Sequence, residues 1–228
     1  NQPVQDSYIR PIAWLEPGNH PESRPGHFVP QPAHIAISLR PNPSRLLSGA
    51  LQNVCVSSWT RIADNVMPAR LKAQANYHNS RLATTEAHID GYDGAILLNQ
   101  QGKVAEGPGA CLMIVRRGVV VTPPVTAGIL ESVTRYTLIQ LLTEELGVQV
   151  VEREIDRTEL YVASEAFYCG TGFEITPIAS IDRYTLGDGG LGSVTARVER
   201  LYHDLVRGID PRHPEWRSSG GAPVATSD

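Results

Sequence analysis

From Val54 to Ile181 the chain is a succession of short apolar runs separated by turn residues. These are VCVSSW, AILLN, VAEG, CLMIVRRGVVV, VQVVEREI, AFYCG and ITPIASI. Runs of four to eight residues between Gly, Asn and charged punctuation are the length of strands and too short for stable helices. Arg117-Gly118 in the middle of CLMIVRRGVVV marks a hairpin, and the NQQGK turn separates AILLN from VAEG. Three longer stretches carry helical spacing: Ala73 to Ile89, Glu131 to Leu146 and Val194 to Val206. The second is the clearest, with Val133, Leu138, Leu141, Leu142 and Leu146 on one side and Gly147 as a stop. The pattern predicts a mixed α/β (α+β) unit over 53–208, in which AILLN, VAEG and CLMIVRRGVVV together form an antiparallel sheet.

Ahead of it, Tyr8 to Leu15 and His34 to Leu39 read as two strands around a loop rich in Pro, Gly and His. Two strands alone do not make a stable domain. Because the chain also begins without Met, 1–41 is expected to be the end of a small domain whose beginning lies elsewhere, with 42–52 as an interdomain linker. The stretch 209–228, rich in Pro, Ser and Gly, is expected to be disordered.

Composition narrows the chemistry. A formal charge of −4 without a basic run does not suit a nucleic-acid surface. No window reaches eighteen apolar residues, so no membrane span is read, and the first residues form no signal peptide. Three widely spaced cysteines without a CxxC indicate neither a disulfide framework nor a metal site, and suit a reducing cytoplasm. Small-molecule chemistry is the class that remains. Gly187, Gly189 and Gly192 satisfy GxGxxG before a helix, but no parallel βαβ unit follows. GxxxxGK[ST], HExxH and GxSxG are all absent. Of 20 basic residues only Lys72 and Lys103 are lysine, so any lysine-based chemistry has two candidates. Lys103 follows Gly102 in a hairpin turn, where an ammonium stays hydrated and charged.

Several motifs occur in a fixed order: K-x-x-x-N-Y at Lys72, E-G at Glu106, T-P-P at Thr122, G-I-L-x-x-x-T-R from Gly128, and G-T-x-x-E-[IV]-T-P from Gly170. In order and spacing, from about Tyr8 to Gly208, they resemble fold-type IV enzymes dependent on pyridoxal 5'-phosphate (PLP), especially branched-chain amino acid aminotransferases. The resemblance implies a large C-terminal pseudo-barrel domain preceded by the end of a truncated small α/β domain. It also implies Lys72 as the Schiff-base lysine and catalytic residue, since PLP needs an amine to hold it. Glu106 would face the pyridine nitrogen, and Tyr77 would hydrogen-bond the phenolic oxygen. Leu130 would pack on the ring. The phosphate would rest on Val133 and Thr134 at a helix start, with Thr171 as a second hydroxyl contact. Gly172 and Phe173 would receive the substrate carboxylate through their amides, and Tyr8 and Arg10 would reach over the substrate.

The implied reaction is transamination between a branched-chain or similar apolar L-amino acid and 2-oxoglutarate, in a cytoplasmic homodimer or higher homo-oligomer. A D-amino acid aminotransferase or an aminodeoxychorismate lyase on the same fold is the alternative, and a non-catalytic scaffold is the rival from another class. Three departures bear on the match. Cys111 stands where the family usually has Asn, and Ser132 where a glycine commonly precedes the phosphate turn. The segment from Ser38 to Leu47 lacks the aromatic-rich interdomain loop. Family members carry roughly one hundred further residues at the front. The complete protein is therefore expected to be active and this part alone weak or inactive.

Overall fold

The computed structural model describes residues 6–15 and 32–218, which fall into two compact units divided between Ser44 and Arg45.

The first unit is a hairpin. β1 (Ser7–Leu15) pairs antiparallel with β2 (Ala33–Pro41), in a register running from Ser7↔Pro41 to Leu15↔Ala33. With a side-chain period of two, Tyr8, Arg10 and Trp14 share a face with Arg40, Ser38 and His34. Trp14 stacks on His34 at 5.5 Å, and the Arg40 guanidinium lies 5.1 Å from the Tyr8 ring centroid.

The second unit is built on β3 (Gln52–Thr60), β4 (Gly94–Leu98), β5 (Val104–Glu106), β6 (Cys111–Arg116), β7 (Val119–Thr122), β8 (Val150–Glu152), β9 (Glu165–Gly170), β10 (Glu174–Ile181) and β11 (Tyr184–Thr185). They form one sheet in the order β5-β4-β3-β10-β9-β6-β7-β8, with β11 against β10. The hairpins expected from the turns are present. Arg117 and Gly118 both have positive φ, 51° and 80°, as a two-residue turn matching strand twist requires. The antiparallel pairings expected of these runs, β4 with β5 and β6 with β7, form within a sheet that is mixed. β3 runs parallel to β4 and to β10, and β7 parallel to β8, because helical or long connections return the chain to the same end of the sheet.

Alternate residues of β6 enter two separate cores. Cys111, Met113 and Val115 pack with Leu138, Leu141, Leu142, Val198 and Leu205, while Leu112 and Ile114 pack with Val54, Ile96, Ile155, Leu160 and Ile178. Burial on both faces explains why CLMIV is apolar throughout instead of alternating. Each such side chain contributes about 1.5–3 kcal/mol.

Three helices flank the sheet: α1 (Tyr77–Ile89), α2 (Val133–Gln140) and α3 (Ser193–Val206). A short 3₁₀ turn, Gln74–Asn76, leads into α1. α2 is shorter than the expected Glu131–Leu146 and gives way to a π-helical turn, Leu141–Glu145, with the Leu146 amide donating to the Leu141 carbonyl at 3.0 Å. There the Thr143 hydroxyl donates back to the carbonyls of Ile139 (2.8 Å) and Gln140 (3.2 Å), competing for the acceptors of an α-helical turn.

The stretch read as a linker is divided between the units. Asn42 hydrogen-bonds within the hairpin unit, through its amide to the Asp6 carbonyl at 2.8 Å. Leu46 is buried in the larger core, and the amides of Arg45 and Leu47 donate to Glu174 and Glu199 at 2.7 and 2.8 Å. The stretch expected to be disordered is structured as far as Ser218. His213 stacks on Trp216 at 3.9 Å, and Arg217 donates to the carbonyls of Leu205 and Asp210. Residues 219–228 lie outside the described residues.

Candidate active site

Glu106 ends β5 and is 6% exposed, an uncommon position for a carboxylate. The chain must turn away tightly after it. The Gly107 amide donates to the Ala110 carbonyl at 2.8 Å, and a Cβ on Gly107 would come within 2.7 Å of the Tyr168 ring. One carboxylate oxygen of Glu106 is ion-paired with Arg61, 2.9 Å from its Nε, and the other accepts the Leu130 amide at 3.1 Å. Burial pushes the carboxyl up to about 7, and the charge of Arg61, the Leu130 hydrogen bond and the charge of Lys72 pull against it in that order.

Lys72 lies in the exposed loop before the Gln74–Asn76 turn, with its Nζ 5.9 Å from the centroid of the Tyr77 ring. Its positive charge acts on both Glu106 and Cys111 and lowers the proton affinity of each. The loop is held from beneath by Asn76, 3% exposed, whose Nδ2 donates to the carbonyls of Pro68 (3.0 Å) and Leu71 (3.1 Å). That is the structural content of the asparagine in K-x-x-x-N-Y. From the outside Arg70 Nε reaches Glu131 at 2.5 Å, tying the lysine loop to the loop before α2. Lys103 is bound elsewhere, its Nζ 2.6 Å from Asp156, which raises its proton affinity further. Of the two lysines, only Lys72 has a free ammonium next to a buried acid.

At the start of α2 the Ser132 side chain accepts the Arg135 amide at 3.3 Å, and its carbonyl accepts the Tyr136 amide at 3.1 Å. Ser132 has φ −92°, an ordinary extended value, so the residue that departs from the family's glycine caps the helix without strain. The amides of Val133 and Thr134 have no acceptor within the helix and present an anion site. Val133 is exposed and Thr134 buried. Arg135 is also buried: it donates from Nε to Thr122 Oγ1 (3.1 Å) and from Nη2 to the Pro123 carbonyl (2.9 Å) and Glu152 (2.6 Å). The T-P-P and T-R motifs thus meet, and Arg135 fixes the helix start to the end of β7.

The start of α3, which follows the GxGxxG glycines, is closed by contrast. Glu165 accepts the amides of Val194 (3.1 Å) and Thr195 (2.8 Å) and fills the space a side chain on Gly192 would need. A carboxylate from within the chain already caps that helix, leaving no room for a nucleotide phosphate.

Thr171, Gly172 and Phe173 form the turn between β9 and β10, with Thr171 and Gly172 exposed and Phe173 edge-on to Tyr168 at 5.9 Å. A Cβ on Gly109 would sit 3.3 Å from the Phe173 ring, so this turn borders the loop that follows Glu106. Cys111 is opposite Cys169 in the β6–β9 register, and its Sγ is 3.6 Å from the Leu130 carbonyl. Burial and the nearby Glu106 push its thiol up to about 12, which makes it an inert neighbour of the site. Tyr8 and Arg10 lie on β1 of the hairpin unit.

The structure therefore gathers Lys72, Tyr77, Glu106 and Leu130 in the larger unit. It adds Arg61, which nothing in its local sequence distinguishes from the other arginines, and gives Asn76 and Arg135 definite structural work.

Comparison with known proteins identifies the family. The family model described as amino-transferase class IV matches residues 1–181. A probable branched-chain-amino-acid aminotransferase of Aquifex aeolicus is 42% identical over 212 residues, covering 93% of this chain and 67% of the relative. The branched-chain-amino-acid aminotransferase of Pseudomonas aeruginosa is 43% identical over 218 residues, covering 94% of this chain and 69% of the relative. Among solved structures, the branched-chain amino acid aminotransferase of Thermobaculum terrenum in its PLP form superposes with a TM-score of 0.88 at 48% identity, covering 95% of this chain and 69% of that one. With most of its length inside the family model, and relatives of the same name more than 40% identical over nearly the whole chain, the chain belongs to the class IV aminotransferases.

Proposed function

We propose that the chain binds PLP at Lys72 and serves the transamination of branched-chain L-amino acids with a 2-oxo acid, 2-oxoglutarate first. The carrying observation is the buried Glu106 carboxylate, ion-paired with Arg61 at one oxygen and held by the Leu130 amide at the other, within reach of the charge of the exposed Lys72. The relatives named as branched-chain aminotransferases, at 36–43% identity, support the substrate class.

The residues present fit the cofactor. PLP needs an amine, an acid for its ring nitrogen, an anion site for its phosphate and an apolar wall. Lys72, Glu106, the Val133 and Thr134 amides and Leu130 are the groups that would meet those needs. When bound, the cofactor supplies an electron sink for the pair left at the amino acid's Cα.

Each residue then has its task. Lys72 would hold the cofactor through its amine and, as a free amine, would be the base that takes the proton from the substrate's Cα. Glu106 offers its oxygen to the ring nitrogen, and Tyr77 offers its hydroxyl to the phenolic oxygen. Thr171 adds a hydroxyl to the phosphate site, while the amides of Gly172 and Phe173 hold the substrate carboxylate. Tyr8 and Arg10, one on each side of Ile9 and therefore on the same hairpin face, are the pair we assign to the substrate's outer side. The three free, buried cysteines support a reducing compartment, and a homodimer is the assembly we assign.

An amino-donor panel with chiral analysis of the product tests this reading. L-leucine, L-isoleucine and L-valine are expected to be the preferred donors. Preference for D-alanine, or formation of pyruvate from aminodeoxychorismate, would replace the reading by one of the other activities of the fold.

A further inference from the structure

Resting on the PLP reading, a further role can be drawn for Arg61, which the reaction as described does not use. Its side chain is 6% exposed and follows directly on β3. The Nε–H donates to the Gly128 carbonyl at 3.1 Å, and the guanidinium forms an ion pair with Glu106, Nε to Oε1 at 2.9 Å. Gly128 has φ +86°, a conformation that costs glycine little, and it turns its carbonyl toward the arginine just before Leu130 supplies the second Glu106 contact. The carboxylate is thereby held from two sides by one strand end and one loop.

We propose that Arg61 is the positioning residue of this site, orienting Glu106 and keeping it ionised so that the proton it shares with the cofactor's ring nitrogen resides on the ring.

A buried carboxyl beside a pyridine nitrogen can share its proton in either direction, and the side with the lower proton affinity gives it up. Burial alone would leave the proton on Glu106 and the ring neutral, a poor electron sink. The charged groups facing Glu106 are Arg61 from the end of β3 and Lys72 from its loop, and the thiol of Cys111 on β6 is the other titratable neighbour. Lys72 must lose its charge to act as an amine, and the Cys111 thiol stays protonated. Arg61 is the cation that persists when Lys72 is neutral, because a guanidinium is not deprotonated in a protein.

The test titrates Glu106 by carbon NMR in the cofactor-free chain labelled at glutamate carboxyls, with Glu106→Gln to assign the resonance. In Arg61→Gln the midpoint is expected to move upward by about one unit or more, while Arg61→Lys returns it toward the wild-type value. An Arg61 that only braces the fold would lower the melting temperature and leave the midpoint where it was; that result overturns the proposal. Should Arg61→Gln not fold, the wild-type chain still decides. With ring-labelled PLP bound at about pH 8, above the carboxyl's own midpoint, nitrogen NMR must show a protonated ring nitrogen, and a neutral one overturns the proposal. Failure of the PLP reading is separately visible as absence of PLP on Lys72, while the titration arms need no cofactor.

Discussion

Glu106 should make the cofactor-free protein lose stability as the pH rises. Its carboxyl lies at about 7 in the folded chain against an ordinary value of 4.5, with burial as the main cause. Below 4.5 the group is protonated in both states and contributes no pH dependence. Between 4.5 and 7 the folded state binds more protons than the unfolded one, so stability falls with rising pH. Above 7 both states are ionised and the loss is complete. At about 1.4 kcal/mol per pH unit the rise corresponds to about 3 kcal/mol across that window. Urea unfolding of wild type and Glu106→Gln at intervals from about pH 4.5 to 8 isolates this effect, because other carboxylates titrate alike in both proteins. The wild-type curve should fall relative to the variant's by about 3 kcal/mol, with most of the change between pH 5 and 7. Parallel curves would refute the burial argument, and a rising difference would mean that Arg61 outweighs desolvation.

Three other perturbations follow from the same geometry. Arg135→Met removes a buried cation from Thr122, Pro123 and the half-exposed Glu152, and should cost about 1–3 kcal/mol in urea unfolding, chiefly for the Pro123 carbonyl left without its donor. Gly107→Ala drives a methyl against the Tyr168 ring and should cost about 1–3 kcal/mol while weakening PLP binding in an absorbance titration. Lys103→Met breaks an ion pair whose partner Asp156 is well exposed, so the urea unfolding midpoint and PLP affinity should both stay the same.

The parts legible in the sequence were those governed by local chemistry. Arg117-Gly118 between apolar runs announces a hairpin, and Gly102 after Asn99 announces the turn that removes Lys103 from contention. The parallel pairings of β3 were not legible, because periodicity gives a strand its faces but not its neighbours. The helical stretch that begins with α2 ends at Leu146 as its spacing implies, but its last turn is π instead of α, where the Thr143 hydroxyl donates to the Ile139 carbonyl, a side-chain contact that spacing does not reveal. In the site, Lys72 and Glu106 stood out by residue type and motif. Arg61 did not, since its meaning lies in a contact with a residue 45 positions away that only the β3–β4–β5 arrangement creates. Asn76 and Arg135 were visible as motif letters, but their buried hydrogen bonds are what explain them.

The central claim is that Lys72 holds the cofactor. Borohydride reduction of the PLP-loaded protein, followed by proteolysis and mass mapping, tests it most directly. The account predicts a phosphopyridoxyl group on the peptide containing Lys72 and none after Lys72→Ala. A label on Lys103, or PLP retained without any label on Lys72, would contradict it.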